Sequence, residues 1–171
     1  MRISRPSRSR NHLRRIMAEM GIPMPWTRDQ LVDSVASRRG RPIELISVDR
    51  SLIAGGHFGL WLSRADDDVI LYPGGTSDVH ATHIICHEIA HMELGHDREA
   101  IGEISEPAQL PRRGIPGVDT AGVVKVFGRS NYSSDQEYEA ELLATLIMAG
   151  RRADGSEHHS DARTARMLGS F

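Results

Sequence analysis

The segment IICHEIAHMELGH, residues 84–96, decides how this chain is read. It sets three histidines and two glutamates among apolar residues, with Gly95 close to its end. At about 100° per residue, His87 and His91 fall one turn apart on the same helical face. Two imidazoles so placed converge on one tetrahedral metal ion. Glu88 lies at the edge of that face, near enough to a metal-bound water to take its proton without ligating the ion. Zn²⁺ lowers the pKa of such a water from about 15.7 to about 7. The chemistry this predicts is attack on a polarised carbonyl, and the predicted reaction is peptide hydrolysis. A five-residue match also arises by chance on a solvated helix. Here the flanks ATHII and MEL are apolar, and Ile85, Ile89 and Met92 pack on the other side. A helix buried along one face needs a reason to carry His-Glu-His along another.

Outward from this helix, the punctuation is clear. GGTSD is a loop whose Ser77 or Asp78 caps a helix expected over about 79–94, with Gly95 as its stop. Upstream, IELISV (43–48), HFGLWLSR (57–64) and DVILYP (68–73) read as three short strands, the last two forming a hairpin about ADDD. Further back, HLRRIMAEMGI puts Leu13, Ile16, Met17 and Met20 on one helical face before Gly21 and Pro23. A second helix begins at TRDQLVDSVASRRG, where Thr27 and Gln30 have capping-box spacing and Gly40 marks the end. Downstream, residues 97–129 lose periodicity, apart from a short helix or strand at AGVVKVF. A last helix starts at SSDQEYEAELLATLIMAG, with Ser134 and Glu137 at capping-box spacing.

The 171 residues suit one domain with a real core. The formal net charge of −2 argues for neither nucleic acid nor an anionic membrane. The uneven stretch is MRISRPSRSRNHLRR, with six arginines in 15 residues, which reads as a basic arm. A single cysteine, Cys86, excludes an intrachain disulfide and fits a reducing compartment. No apolar run spans a bilayer and no secretion-signal core follows the basic start, so a cytoplasmic protein is expected.

Two histidines leave the metal short of ligands. His96 is about 140° round the helix from His91 and reads as a helix-end group or a support for the site. The last helix offers Glu137, Glu139 and Glu141. With Glu139 at 0°, Ala140, Leu142, Leu143, Leu146 and Ile147 fall between roughly −60° and +100°, while Glu137 and Glu141 point away. A lone carboxylate in an apolar face costs several kcal/mol unless paired or metal-bound. Glu139 is therefore the expected third ligand, with a salt bridge to a buried arginine as the alternative. Glu137 has a simpler role as the partner of Ser134, and Glu141 as a solvated group. Ala140 and Ala144 are small enough for the two helices to approach closely. Two histidines and a glutamate leave one metal position open, as catalysis requires. Zn²⁺ is the expected ion, although the same ligands suit other divalent metals. Tyr132 and His83 are the candidates for stabilising an oxyanion, and structural roles fit either.

HEIAHMELGH followed by EYEAELLATLIM resembles the ImmA/IrrE family of zincin-like metallopeptidases, over roughly residues 27–150. The family pattern is similar to His-Glu-x-x-His-x-x-Leu-Gly-His, then Glu-x-Glu-Ala-x-x-x-Ala and a run of Leu or Met. In detail the chain is similar to the short, stand-alone members common in actinobacteria. Carried over, the resemblance implies His87, His91 and Glu139 as metal ligands and Glu88 as the catalytic base. Glu141 stands where the family often has Asn, and Met148-Ala149-Gly150 where it often has Met-Pro. The implied fold is α+β and zincin-like. A small three-stranded sheet packs on the active-site helix, with N-terminal helices and a C-terminal ligand-bearing helix. The expected divisions are 1–26 for the arm and first helix, 27–150 for the metallopeptidase, and 151–171 for a polar tail. The implied function is a cytoplasmic regulatory endopeptidase acting on a separately encoded helix-turn-helix repressor, without contacting nucleic acid or membrane itself. The rival is a metal-binding regulator that binds such a partner without cutting it; a small-molecule hydrolase is a third option. An extended substrate is expected to add to a sheet edge supplied by 57–64 or 68–73.

Overall fold

The computed structural model describes residues 10–53, 59–98, 115–120, 122–128 and 131–152. The arm at 1–9 and the tail from 153 lie outside the described residues. Eight elements follow one another: α1 (Arg10–Glu19), α2 (Arg28–Arg39), β1 (Ile43–Val48), β2 (Leu60–Arg64), β3 (Asp68–Pro73), α3 (Asp78–Leu94), β4 (Val123–Phe127) and α4 (Ser134–Met148). The class is α+β. None of the helices described is long and apolar enough to cross a membrane.

The sheet has four strands, not three, in the order β1-β3-β2-β4. β1 runs parallel to β3, and β2 is antiparallel to both β3 and β4. The β2–β3 hairpin closes as its turn residues predict, with the Arg64 N–H donating to the Asp67 carbonyl at 2.9 Å. The extra strand is VVKVF, which joins β2 from about 60 residues downstream, a pairing that no local pattern announces. Its arrival changes the edges. β1 and β4 are the outer strands, so β2 and β3 have both sides occupied and cannot accept an extended substrate.

Side chains alternate across the sheet as a pleat requires. Trp61 and Ile70 enter the core shared with the helices, while Leu62, Val69 and Leu71 enter a second cluster with Ile115, Val118 and Val126. β3 is buried on both faces, which is why DVILYP is continuously apolar. α3 packs on the first core through Ile85, Ile89 and Ala90, none of which is exposed. Each isoleucine contributes about 1.5–3 kcal/mol through that burial. Ala140 and Ala144 of α4 are equally buried, and their size allows α4 to lie close to α3.

Leu13, Ile16 and Met20 of the N-terminal segment belong to this same core. Trp26 ties that segment to the end of α4. Its indole N–H donates to the Ile147 carbonyl at 2.9 Å, and its backbone pairs with Gly150 and Arg152.

Helix ends are set by local chemistry. Thr27 and Gln30 form the expected capping box, and Gly40 ends α2 at φ +68°. Ser77 caps α3, and Gly95 ends it at φ +69°. On α4 the box is made by Ser133 and Gln136, one residue earlier than the Ser134–Glu137 pair. Glu137 is thereby released from capping.

Candidate metal centre

α3 and α4 face each other across a cavity of about 470 Å³, lined by His83, His87, Glu88, His91, Tyr132, Glu137 and Glu141 among others. The His87 and His91 Nε2 atoms lie 3.1 Å apart. The Glu137 carboxylate joins them, with Oε2 3.6 Å from His87 Nε2 and Oε1 3.4 Å from His91 Nε2. Donors bound at about 2.0–2.1 Å on a tetrahedron are ~3.3 Å from one another. Two imidazoles and a carboxylate in this arrangement could hold a divalent metal ion. Among the described residues this is the group able to hold a metal.

The acid that the structure places with the histidine pair is Glu137, not the Glu139 expected from the sequence. The burial argument was right about where Glu139 goes: it is 7% exposed. However, its carboxylate lies toward His96, with Oε2 3.7 Å from His96 Nε2, and not toward the histidine pair. Glu137 was discounted for two reasons, and both fail. Its capping role belongs to Gln136, and the direction assigned to solvent is occupied by α3 and the cavity. A ligand to an accessible metal belongs at the rim of the core, not at its centre. A usable signal was present. Glu137 and Glu141 are spaced i,i+4, as are His83, His87 and His91, so the two helices present matching ladders.

His96 also departs from a simple helical extrapolation. The left-handed turn at Gly95 redirects the chain into a 3₁₀ turn, His96–Arg98. His96 then comes back beneath His91, with the two Nδ1 atoms 2.9 Å apart. On the exposed side, Glu141 sits 3.4 Å from His87 Nδ1 and 3.0 Å from His83 Nε2. It is not merely solvated.

Glu88 is brought to the same place as the histidine pair. It is 5% exposed, and its Oε2 has no hydrogen-bond partner among the described residues. Burial pushes its carboxyl up to about 7; the neighbouring His87 opposes this and Glu137 adds to it. Gly59 makes room for it, since a Cβ there would stand 2.8 Å from Glu88 Oε1 and 2.8 Å from the Ile84 side chain. Nothing in the sequence marked Gly59 for this role, because the approach is between distant segments.

Burial alone would raise Glu137, but the two imidazoles outweigh it and hold this acid at about 2. His87 is pulled down by burial, yet Glu137, Glu88 and Glu141 together leave it above the ordinary imidazole value. Burial prevails at His91 and lowers it, which favours the neutral ring a metal ligand must present. Tyr132 stacks on His91 with ring centroids 3.8 Å apart. Its buried hydroxyl finds no hydrogen-bond partner among the described residues, and burial raises its pKa.

No family model, curated protein or solved structure matches this chain.

Proposed function

We propose that the chain is a zinc-dependent metallopeptidase of the ImmA/IrrE type, acting in the cytoplasm as a regulatory endopeptidase on a separately encoded helix-turn-helix repressor or similar partner. One observation carries this reading. His87 and His91 Nε2 lie 3.1 Å apart and 3.4–3.6 Å from the two Glu137 oxygens, beside the buried Glu88, whose Oε2 has no hydrogen-bond partner among the described residues. The resemblance implies Glu139 as the acidic ligand, and the geometry departs from it by grouping Glu137, the first acid of the Glu-x-Glu-Ala motif, with the histidines.

His87, His91 and Glu137 would hold the ion. Bound there, Zn²⁺ supplies Lewis acidity and a water acidified to a pKa of about 7. Glu88 takes the proton of the attacking water at its unpaired oxygen and returns it to the leaving amine. The free hydroxyl of Tyr132 is the donor suited to a developing oxyanion, because His83 is already engaged with Glu141.

The rival, a metal-binding regulator that does not cut, calls for a closed site with four protein ligands. His96 lies behind His91, His83 pairs with Glu141, and Asp97 is outside the ligand group. A group of three ligands among the described residues favours catalysis.

Elemental analysis of the purified chain is the first test. About one zinc per chain is expected in the wild type, with loss in Glu137→Ala. Incubation with the repressor encoded next to this chain then separates the two readings. Cleavage by the wild type, absent in Glu88→Gln, supports the peptidase. Stable binding without cleavage would replace it with the regulator.

A further inference from the structure

We infer that His96 and Glu139 are positioning residues that hold His91 in the one tautomer able to ligate a metal through Nε2. This rests on the metal-site reading above and extends it to two buried groups that reading leaves unused. His91 and His96 are each 1% exposed and Glu139 is 7% exposed. Their atoms form a line: His91 Nδ1 to His96 Nδ1 at 2.9 Å, then His96 Nε2 to Glu139 Oε2 at 3.7 Å.

A directional chain follows from imidazole chemistry. A neutral ring that offers Nε2 to a cation carries its hydrogen on Nδ1. The Nδ1–H of His91 then donates to His96 Nδ1, which must be an acceptor. The hydrogen of His96 is thereby placed on Nε2, the nitrogen that faces the Glu139 carboxylate. At 3.7 Å the acid at the end of the line acts on His96 electrostatically and not through a hydrogen bond; its negative charge favours the tautomer of His96 with hydrogen on Nε2, and His96 in turn sets that of His91. The other ligand has a shorter version of the same support, with Glu141 placed directly against His87 Nδ1 at 3.4 Å. Each metal-facing histidine thus has a carboxylate behind it, and Gly95 supplies the turn that inserts His96 on one side. Such outer partners typically alter metal affinity by about 10–100-fold.

The test is zinc affinity, measured by competition with a chromophoric chelator on the full chain. Wild type, His91→Ala, Glu137→Ala, Glu139→Gln, His96→Asn and His96→Leu are compared. Tight binding by the wild type and its loss in His91→Ala and Glu137→Ala establish the ligand set independently. Glu139→Gln and His96→Leu are then expected to bind ~10–100-fold more weakly. His96→Asn should recover part of the loss, because its side-chain oxygen can accept from His91 Nδ1. A purely structural role would not produce that recovery. Thermal melts of the metal-free variants report folding separately. If His96→Leu does not fold, Glu139→Gln and His96→Asn carry the decision. Affinity within twofold of wild type in folded Glu139→Gln and His96→Leu overturns the inference while leaving the metal site intact. Complete loss in Glu139→Gln, equal to that in Glu137→Ala, overturns it differently, by making Glu139 a ligand. A wild type that binds no zinc removes the metal reading itself.

Discussion

Asp68 and Glu88 are both buried carboxylates, and their surroundings are opposite. Asp68 opens β3 with no exposure at all. It accepts from the Trp61 indole at 2.9 Å and the Arg39 guanidinium at 3.0 Å, and it pairs with Arg41 at 3.3 Å. Arg39 also lies over the Trp61 ring, 5.0 Å from its centroid. Glu88 has one oxygen with no partner among the described residues, and its carboxyl is pushed up to about 7. The first is an ion network in which two guanidinium groups offset the buried charge and clamp the α2–β1 corner to the hairpin. The second has no arginine or lysine paired with it among the described residues and stores a desolvation cost. Burial of charge alone therefore does not mark a functional site.

The comparison can be broken most severely at Glu88. Glu88→Gln should lower cleavage of the partner protein by about 10²–10⁴-fold while zinc content stays at wild-type level. Equal cleavage by the variant would remove Glu88 from the chemistry. At the other pole, Asp68→Ala strands two guanidinium groups and an indole N–H. Urea unfolding should show a loss of ~3–5 kcal/mol, as when one partner of a buried ion pair is removed. A loss below about 1 kcal/mol would mean the network is no better than a surface pair.

A smaller effect is expected at Gly59. Gly59→Ala brings a methyl against Glu88 and Ile84 and should shift the carboxylate. Displacements near 1 Å can cost about 10²-fold in rate, again with zinc retained. Unchanged kinetics would show that the loop yields instead.

The smallest change has an unusual sign. Folding raises Glu88 from 4.5 to about 7, so the folded state favours its neutral form. That contribution is fully present below the ordinary carboxyl value and is lost as pH rises through about 7. Metal-free Glu88→Gln lacks this penalty. It should be more stable than metal-free wild type by about 2–3 kcal/mol at pH 8 and nearly equal to it at pH 4. Denaturation midpoints at the two pH values read this directly. Destabilisation at both would place Glu88 with Asp68 as a structural acid.

Much of the fold was legible where the deciding forces are local. Thr27, Ser77, Gly40 and Gly95 act within a turn of themselves, and each does what its residue type requires. The hairpin about ADDD and the apolar β3 follow equally from short-range pattern. AGVVKVF was read as a short helix or strand, and its place in the sheet was not legible, because its pairing with β2 brings together segments about 60 residues apart. The last helix was found, but its cap was read one residue late. That small shift assigned Glu137 to capping and left Glu139 as the apparent ligand.

By itself the sequence determined the HExxH face, because a spacing of four residues on a helix places His87 and His91 together regardless of what surrounds them. It also determined that Glu139 is buried, since an apolar arc identifies a core-facing side. Only the tertiary structure decided which acid meets the histidines, that His96 turns back beneath His91, and that Gly59 makes room for Glu88. Helical periodicity reports direction about a single axis. Ligation depends on where two axes cross, and that is set by the packing of α4 on α3 through Ala140 and Ala144.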